Sequence, residues 1–320
     1  MKFATSILSA LLLAGAAAPA LADAYPTRPV RLVVPYAPGG SADIVARRIT
    51  DEWAKALGGG IYVENRAGAG GNIGVDVVAK AAPDGYTIGL QTVSLAINPS
   101  IFAKMPYNTL KDLAPISTVA TSQHVLVVNP KVPFRTAKDL VAAAKANPGK
   151  YSYGSAGSGS TFHMSAELFK SVANIDIMHV PYKGGGPALI DTIGGQVDMS
   201  FPVLSAAQAH IQAGKLHPIG VTGPKRSPLM PDVPTLGEGV PGYSFETWFM
   251  VFAPAGTPQP VIDKLNTALN QALNQPALKE KMVKEGFDPA PSTPAQAQEK
   301  LTNEMGVWAK LVKERGITAD

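Results

Sequence analysis

The residues best suited to chemistry are glycines and serines in loops that follow predicted strands and lead directly into predicted helices. The first such loop is Pro38–Gly39–Gly40–Ser41, with Asp43 just beyond it. Free N–H groups and the positive dipole end at a helix start favour an anion, and paired glycines let that anion approach the main chain. The loop therefore indicates a site for a carboxylate or a phosphate. A tight turn in which Ser41 caps the helix and Asp43 serves its first turn explains the same residues equally well.

A second loop of this design runs from Gly154 to Ser160 and precedes a helix predicted over 160–172. Its hydroxyl groups can supplement backbone N–H donors around an oxyanion without adding formal charge, which is typical of reversible binding. A flexible surface loop of small residues is the alternative. His163 falls in the first turn of the helix, where local capping or packing is expected more than ligand contact.

Two further glycine-rich segments are less informative. Tyr182 and Lys183 precede three glycines, with Pro187 suited to the first position of a helix over 188–193. Tyr182 can lay its ring or hydroxyl on a ligand, whereas Lys183 is expected to face solvent. The turn over 67–74 lacks the spacing of a dinucleotide-binding motif, so we interpret it as structural.

Several chemistries lack their sequence signatures. No serine stands in a Gly-x-Ser-x-Gly motif, the five histidines form no His-Glu-x-x-His pair, and no glycine loop ends in Gly-Lys-Ser or Gly-Lys-Thr. No cysteine is present, which excludes disulfides and thiolate metal sites. The formal net charge of +4 is spread without a basic run. We therefore expect no metal site, no cofactor and no nucleic-acid partner.

The first 24 residues are predicted to be a cleavable secretory signal peptide. Lys2 provides a positive start, residues 7–18 are uncharged and apolar, and small residues at the right spacing allow cleavage after Ala22 or Ala24. The apolar stretch is too short, and too rich in alanine and glycine, for a transmembrane anchor. The mature protein is thus expected in the periplasm.

The elements that must position the loops alternate between short strands and helices, which indicates an α/β fold. Strands are predicted over 30–35, 61–64, 87–91, 125–128, 152–155, 177–180, 197–201 and 216–221. Besides the helix after the second loop, helices are predicted over 43–57, 136–146, 259–274, 276–285 and 293–315. Ligands of open α/β sheets collect outside the carboxyl ends of the strands, where the first three loops fall.

The length of 320 residues suggests two domains. The segments 119–128 and 243–253 are extended, rich in β-branched and aromatic residues, and suited to be paired hinge strands. We predict a discontinuous domain 1 of residues 25–122 plus 246–320, and an inserted domain 2 of residues 123–245.

The mature chain resembles the Bug family of periplasmic solute-binding proteins, the receptor components of tripartite tricarboxylate transporters. Seven blocks carry the resemblance along nearly the whole chain: 25–30, 38–43, 63–71, 82–87, 153–163, 180–185 and 253–258.

This resemblance implies a type II-like flytrap, in which two α/β domains joined by two hinge strands close on a small organic acid. The first two loops would grip its proximal carboxylate, with Asp43 ordering its loop or holding a water. Positions after the third and seventh strands would contact the distal half. The expected ligand-binding residues are Tyr36, Pro38, Gly39, Gly40, Ser41, Asp43, Thr92, Ser94, Gly154, Ser155, Gly157, Ser158, Gly159, Ser160, His163, Tyr182, Lys183 and Phe201.

The resulting expectation is a monomeric, non-enzymatic receptor that delivers a mono- or dicarboxylate, aliphatic or aromatic, to a membrane permease. A sensory binding protein that reports to a signalling partner requires the same pocket. An exported enzyme acting on a small acid is the third alternative.

Overall fold

A computed structural model describes residues 25–182 and 184–318, so the predicted signal peptide and Lys183 lie outside the described residues. The strands are β1 Val30–Val34, β2 Ile61–Asn65, β3 Thr87–Thr92, β4 Leu113–Gln123, β5 Val125–Val128, β6 Ser152–Ser155, β7 Met178–Pro181, β8 Met199–Ser200, β9 His217–Val221, β10 Glu246–Pro254 and β11 Asp288–Pro289. The helices are α1 Ser41–Leu57, α2 Asn72–Ala79, α3 Ser94–Ile101, α4 Ala137–Ala146, α5 Thr161–Ala173, α6 Gly185–Gly194, α7 Leu204–Gln212, α8 Leu236–Gly239, α9 Gln259–Leu273, α10 Pro276–Lys284 and α11 Pro294–Arg315.

The strands form two mixed sheets, ordered β11-β4-β10-β3-β1-β2 and β7-β6-β8-β5-β9. In each sheet three successive strands are parallel and stand in the order second, first, third, namely β2-β1-β3 and β7-β6-β8. The third parallel strand of each sheet then pairs with an antiparallel strand, which the chain reaches directly after leaving the other sheet. This strand is β10 beside β3 in one sheet and β5 beside β8 in the other. This repeated order confirms the predicted two-sheet α/β architecture of the flytrap type.

The chain passes between the sheets at two neighbouring strands. Only His124 separates β4 from β5, and β10 pairs antiparallel with β4, with Glu246 opposite Gln123. The predicted pairing of the two extended segments is thus confirmed.

The His124 side chain is fully buried at this crossing. Its Nδ1 lies 2.7 Å from the Phe201 carbonyl oxygen and its Nε2 lies 2.9 Å from Thr247 Oγ1. Burial lowers the pKa of His124 to about 4, so the ring is neutral near pH 7. The imidazole therefore joins the end of β8 to the start of β10 by two hydrogen bonds.

The hydrophobic core is not divided sheet by sheet. The largest buried cluster contains Val33 of β1, Tyr153 of β6 and Trp308 of α11. Helix α11 packs against α3 and β4 and reaches α5, where Arg315 Nε lies 3.5 Å from Glu167 Oε2. The largest hydrophobic cluster is therefore continuous from one sheet to the other, because the C-terminal helix packs across both sheets.

Two helix starts differ from the sequence prediction. Ser41 is already helical, and the N-cap position belongs to Gly40, whose backbone is extended and supplies no capping side chain. Helix α6 begins at Gly185 instead of residue 188, because Gly184 takes the N-cap position. Pro187 still lies in the first turn, where a missing N–H costs no intrahelical hydrogen bond.

Within the described part of the chain, no helix is long and apolar enough to cross a membrane.

Candidate ligand-binding cleft

A cavity of about 1280 Å³ opens at the carboxyl ends of the parallel strands of both sheets. From the first sheet's side its wall contains Pro35, Tyr36, Ala37, Pro38, Gly39, Gly40, Ser41, Ala42, Ile44, Arg48, Ala67, Gly68, Gly70, Gly71, Thr92, Ser94, Asn98, Ile101, Phe102, Thr247, Lys284, Glu285 and Phe287. From the second sheet's side it contains Ala156, Ser158, Gly159, Ser160, Thr161, Phe162, Gly184, Gly185, Gly186, Leu189, Pro202, Val203, Ser205, Ala206 and Gln208.

The first loop joins β1 to α1 and is shaped by a buried carboxylate. Gly39 has a φ of 86°, a conformation that favours glycine, and its N–H donates to Asp43 Oδ2 at 2.9 Å. Arg47 Nε and Asn65 Nδ2 donate to the same carboxylate at 3.0 and 2.9 Å. Burial raises the pKa of Asp43, but these hydrogen bonds outweigh burial and hold it below its ordinary value. Asp43 therefore orders the loop as an ionised group outside the cavity wall.

The second loop joins β6 to α5 and is ordered from within. The Ser160 side chain caps α5 by accepting the His163 N–H at 3.3 Å, as the N-cap position favours. The Gly159 N–H donates to His163 Nδ1 at 3.0 Å. The Gly157 N–H donates to Ser155 Oγ at 3.1 Å. These bonds leave Ser158, Gly159 and Ser160 on the cavity wall.

Two stacked histidines support the second loop from behind. The rings of His163 and His179 lie 4.0 Å apart between centroids, with 12° between their planes. His179 Nε2 lies 2.6 Å from Ser155 Oγ. Burial lowers the pKa of both histidines to about 4, so both rings are neutral near pH 7. A neutral His163 can accept the Gly159 N–H, whereas a protonated one cannot.

Helix N-termini surround the cavity. Helices α1, α5 and α6 begin at the three glycine-rich loops, and α3 and α7 begin at Ser94 and Leu204 beside further wall residues. The first turn of each helix carries N–H groups that have no carbonyl partner within the helix, and its dipole end is positive. Helices α1, α5, α6 and α7 line the cavity only through their first eight residues, where their dipoles favour an anion, whereas α3 also lines it with Ile101 at its C-terminal end. The arrangement can therefore hold a carboxylate reversibly.

Hydroxyl groups form one part of the wall after β3. Tyr36 Oη lies 3.1 Å from Thr92 Oγ1, and Thr92 Oγ1 lies 3.2 Å from Ser94 Oγ. Other parts of the wall are apolar and include Ile101 and Phe102 at the end of α3 and Phe162 of α5.

Ten of the predicted ligand-binding residues lie on the cavity wall, and seven others that the structure describes do not. The wall residues are Tyr36, Pro38, Gly39, Gly40, Ser41, Thr92, Ser94, Ser158, Gly159 and Ser160. Those off the wall are Asp43, Gly154, Ser155, Gly157, His163, Tyr182 and Phe201.

The residues off the wall have identifiable structural roles. Phe201 is fully buried and packs against Phe169 and Tyr153, so it does not reach the cavity, and Pro202 takes the wall position. Gly154 lies within β6, where a side chain would press on Tyr182 and Val197. Tyr182 donates its hydroxyl to Asp191 Oδ2 at 2.8 Å instead of facing the cavity.

Sequence reasoning missed part of the wall. The turn interpreted as structural supplies Ala67, Gly68, Gly70 and Gly71, so that interpretation was incomplete. Its position after β2, at the same strand ends as the first loop, was the available signal. The wall residues of α7 and Thr247 lie in segments whose patterns indicated no binding site.

The fold and cleft are those of a two-lobed solute-binding protein. The chain belongs to the family described as "Tripartite tricarboxylate transporter family receptor", whose profile matches residues 45–317. The predicted Bug-family resemblance is thereby confirmed.

Individual proteins that are similar over nearly the whole chain support this family assignment. The protein BugT of Bordetella pertussis is 40% identical over 306 residues, which cover 95% of this chain and 94% of BugT. The structure of R. palustris Rpa4515 with adipate is 35% identical, with a TM-score of 0.83 and coverage of 92% and 99% of the two chains. The structure of MatC from Rhodopseudomonas palustris with bound malate is 32% identical, with a TM-score of 0.78 and coverage of 90% and 100%.

Proposed function

We propose that the protein is a periplasmic receptor that binds a small carboxylate in this cleft and delivers it to the membrane subunits of a tripartite transporter. The observation that carries the proposal is the convergence of helix N-termini on one cavity. Similarity to proteins solved with adipate and malate supports a carboxylate ligand.

We further propose the sequence-derived division into residues 25–122 plus 246–320 and residues 123–245. The crossings at β4–β5 and at the start of β10 support this division. The ligand would enter between the two parts, with its carboxylate held by main-chain N–H groups at the starts of α1 and α5. Export by the predicted signal peptide belongs to the same proposal.

Thermal unfolding tests the carboxylate site. Benzoate, hexanoate, adipate, terephthalate and malate are added to the mature protein, and the unfolding midpoint is recorded. An acid present at about 100 times its Kd adds about 2.7 kcal/mol of stability and raises the midpoint. We expect at least one acid of this panel to do so.

The variant Gly40→Asp locates the binding. Gly40 has a φ of −76°, and an added Cβ would meet only the Ala37 carbonyl oxygen at 3.7 Å, so a side chain fits without strain. The introduced carboxylate should abolish the ligand-induced rise, whereas Gly40→Ala, which adds a Cβ but neither a charge nor a capping oxygen, should retain most of it. An unchanged rise in Gly40→Asp, or no rise with any acid in the wild type, would contradict the proposal.

A further inference from the structure

The charged side chains on the described cavity wall form a paired group at a distance from the helix starts. Arg48 Nε donates to Glu285 Oε2 at 2.9 Å, and Arg48 Nη2 contacts Glu285 Oε1. Lys284 Nζ pairs with Glu280 at 2.6 Å. Arg48 lies seven residues after Ser41, or about 10 Å along α1. Arg48 and Glu285 are therefore within reach of the far end of an elongated ligand whose carboxylate lies at the start of α1 and whose body runs along this helix.

Glu285 determines which ligand groups can bind beside Arg48. It is itself a wall residue, and the Arg48 and Glu285 side chains are only 35% and 33% exposed. A second carboxylate that approached Arg48 would displace Glu285 or lie beside its negative charge. Either outcome costs free energy, because like charges repel more strongly when they are partly removed from water.

The hydroxyl cluster offers few donors to a second carboxylate. Thr92 Oγ1 accepts from Ser94 N at 3.3 Å and lies within hydrogen-bond distance of Tyr36 Oη. The Thr92 hydroxyl can donate to Gln91 Oε1 at 3.3 Å or to Ser94 Oγ at 3.2 Å. When Tyr36 donates to Thr92, the donors left over within this cluster are the Ser94 hydroxyl and Gln91 Nε2, which is buried and has no hydrogen-bond partner among the described residues. Neutral donors without a cation suit an uncharged oxygen better than a carboxylate.

The rest of this region suits an apolar body. Ile101 and Phe102 end α3 on one side of the cavity, and Phe162 and Leu189 face it from α5 and α6. Burying an apolar ring or chain against such side chains is favourable, because it removes apolar surface from water.

We infer, on the basis of the proposed function, that the cleft selects carboxylates with a single anionic group and an apolar body. Glu285 is the residue that rejects a second carboxylate, because it neutralises Arg48 and adds a negative charge to the wall. The adipate and malate seen with related proteins carry two carboxylates, so this selectivity distinguishes the chain from those relatives.

Calorimetric titration of the mature protein with two matched pairs tests the inference. Benzoate is compared with terephthalate, and hexanoate with adipate, so that each pair differs by one carboxylate. We expect the monocarboxylate of each pair to bind about tenfold more tightly, the effect of about one unfavourable charge contact. Tighter binding of terephthalate and adipate would overturn the inference and leave the proposed function standing. Binding of none of the four acids would count against the proposed function itself.

Two variants isolate Glu285. Glu285→Gln frees Arg48 and should improve terephthalate and adipate binding relative to the monocarboxylates by about tenfold. Glu314→Gln makes the same charge change on α11, where Glu314 and its partner Lys310 both lie off the cavity wall, and it leaves the Arg48–Glu285 pair intact, so its ratio of affinities should match the wild type. An unchanged ratio in Glu285→Gln, or an equal change in both variants, would overturn the role assigned to Glu285.

Discussion

At the scale of single residues, neutral histidines hold the backbone where the lobes and loops are joined. His124 joins β8 to β10 through both ring nitrogens, and His163 accepts the N–H of Gly159 in the second loop. Each ring is kept neutral because burial disfavours the imidazolium form. The geometry of the second loop therefore depends on an uncharged His163.

This dependence predicts a loss of stability in mild acid. The pKa of His124 and of His163 is about 4 in the folded protein, against about 6.5 for an exposed histidine. Between these values the unfolded chain takes up protons that the folded chain does not. The stabilisation is therefore complete above pH 6.5 and is lost as the pH falls toward 4, by up to about 1.4 kcal/mol per pH unit for each histidine.

Urea unfolding at pH 7, 6 and 5 measures this slope. His163→Gln should reduce the slope of the unfolding free energy against pH by the equivalent of about one bound proton, because the variant lacks one of the histidines whose pKa is low in the folded protein. A free energy of unfolding that is constant over this range in the wild type would contradict the neutral-histidine account.

Residue types and their order along the chain predicted the loops but not which side chains line the cavity. Gly39, Gly40 and Ser160 were found because a strand, a glycine and a helix follow one another locally. Phe201 lies off the wall although it follows a strand, because the direction of its side chain depends on packing against Phe169 and Tyr153, which are distant in sequence.

At the scale of elements, the helices differ in whether a side chain already occupies the N–H groups of their first turn. Helix α4 begins with a complete capping box, in which Thr136 and Asp139 satisfy each other's backbone N–H groups. Helix α1 begins at the cleft with Gly40 at the N-cap and no capping side chain. The uncapped start leaves its N–H groups available to an anion.

This difference predicts unequal effects of two similar substitutions. Thr136→Ala should lower the free energy of unfolding by about 1 kcal/mol, because it removes a capping hydrogen bond. Ser41→Ala should change it by less than about 0.5 kcal/mol, because Ser41 is not the cap. Both values come from urea unfolding without added ligand, and an equal loss in the two variants would show that Ser41 stabilises α1 after all.

Elements with a clear period were predicted, whereas short or interrupted ones were missed. Helices α1 and α9 have well-marked apolar faces and were placed within two residues of their observed ends. Helix α3 was missed because it spans eight residues and contains Pro99. The first part of β4 was missed because Pro115 and polar residues interrupt its pattern.

At the scale of the whole molecule, adjacent strands connect two sheets that flank one cleft. Strands β4 and β10 pair side by side where the chain crosses, so a change in their twist can move one sheet relative to the other. Helix α11 packs against elements on both sides of this crossing. The two-lobed organisation was predictable from the extended crossing segments, whereas the shared core depends on the docking of α11.

Closure on a carboxylate is the central claim, and fluorescence energy transfer across the cleft tests it most directly. The chain has no cysteine, so labels attach only at introduced ones. Tyr62→Cys and Ile190→Cys place labels at exposed positions on the two sides, whereas Tyr62→Cys and Leu110→Cys place both on the first side as a control. Benzoate or hexanoate should raise the transfer efficiency of the first pair and leave the control pair unchanged. No change in the first pair at concentrations that raise the unfolding midpoint, or an equal change in both pairs, would contradict a receptor that closes on its ligand.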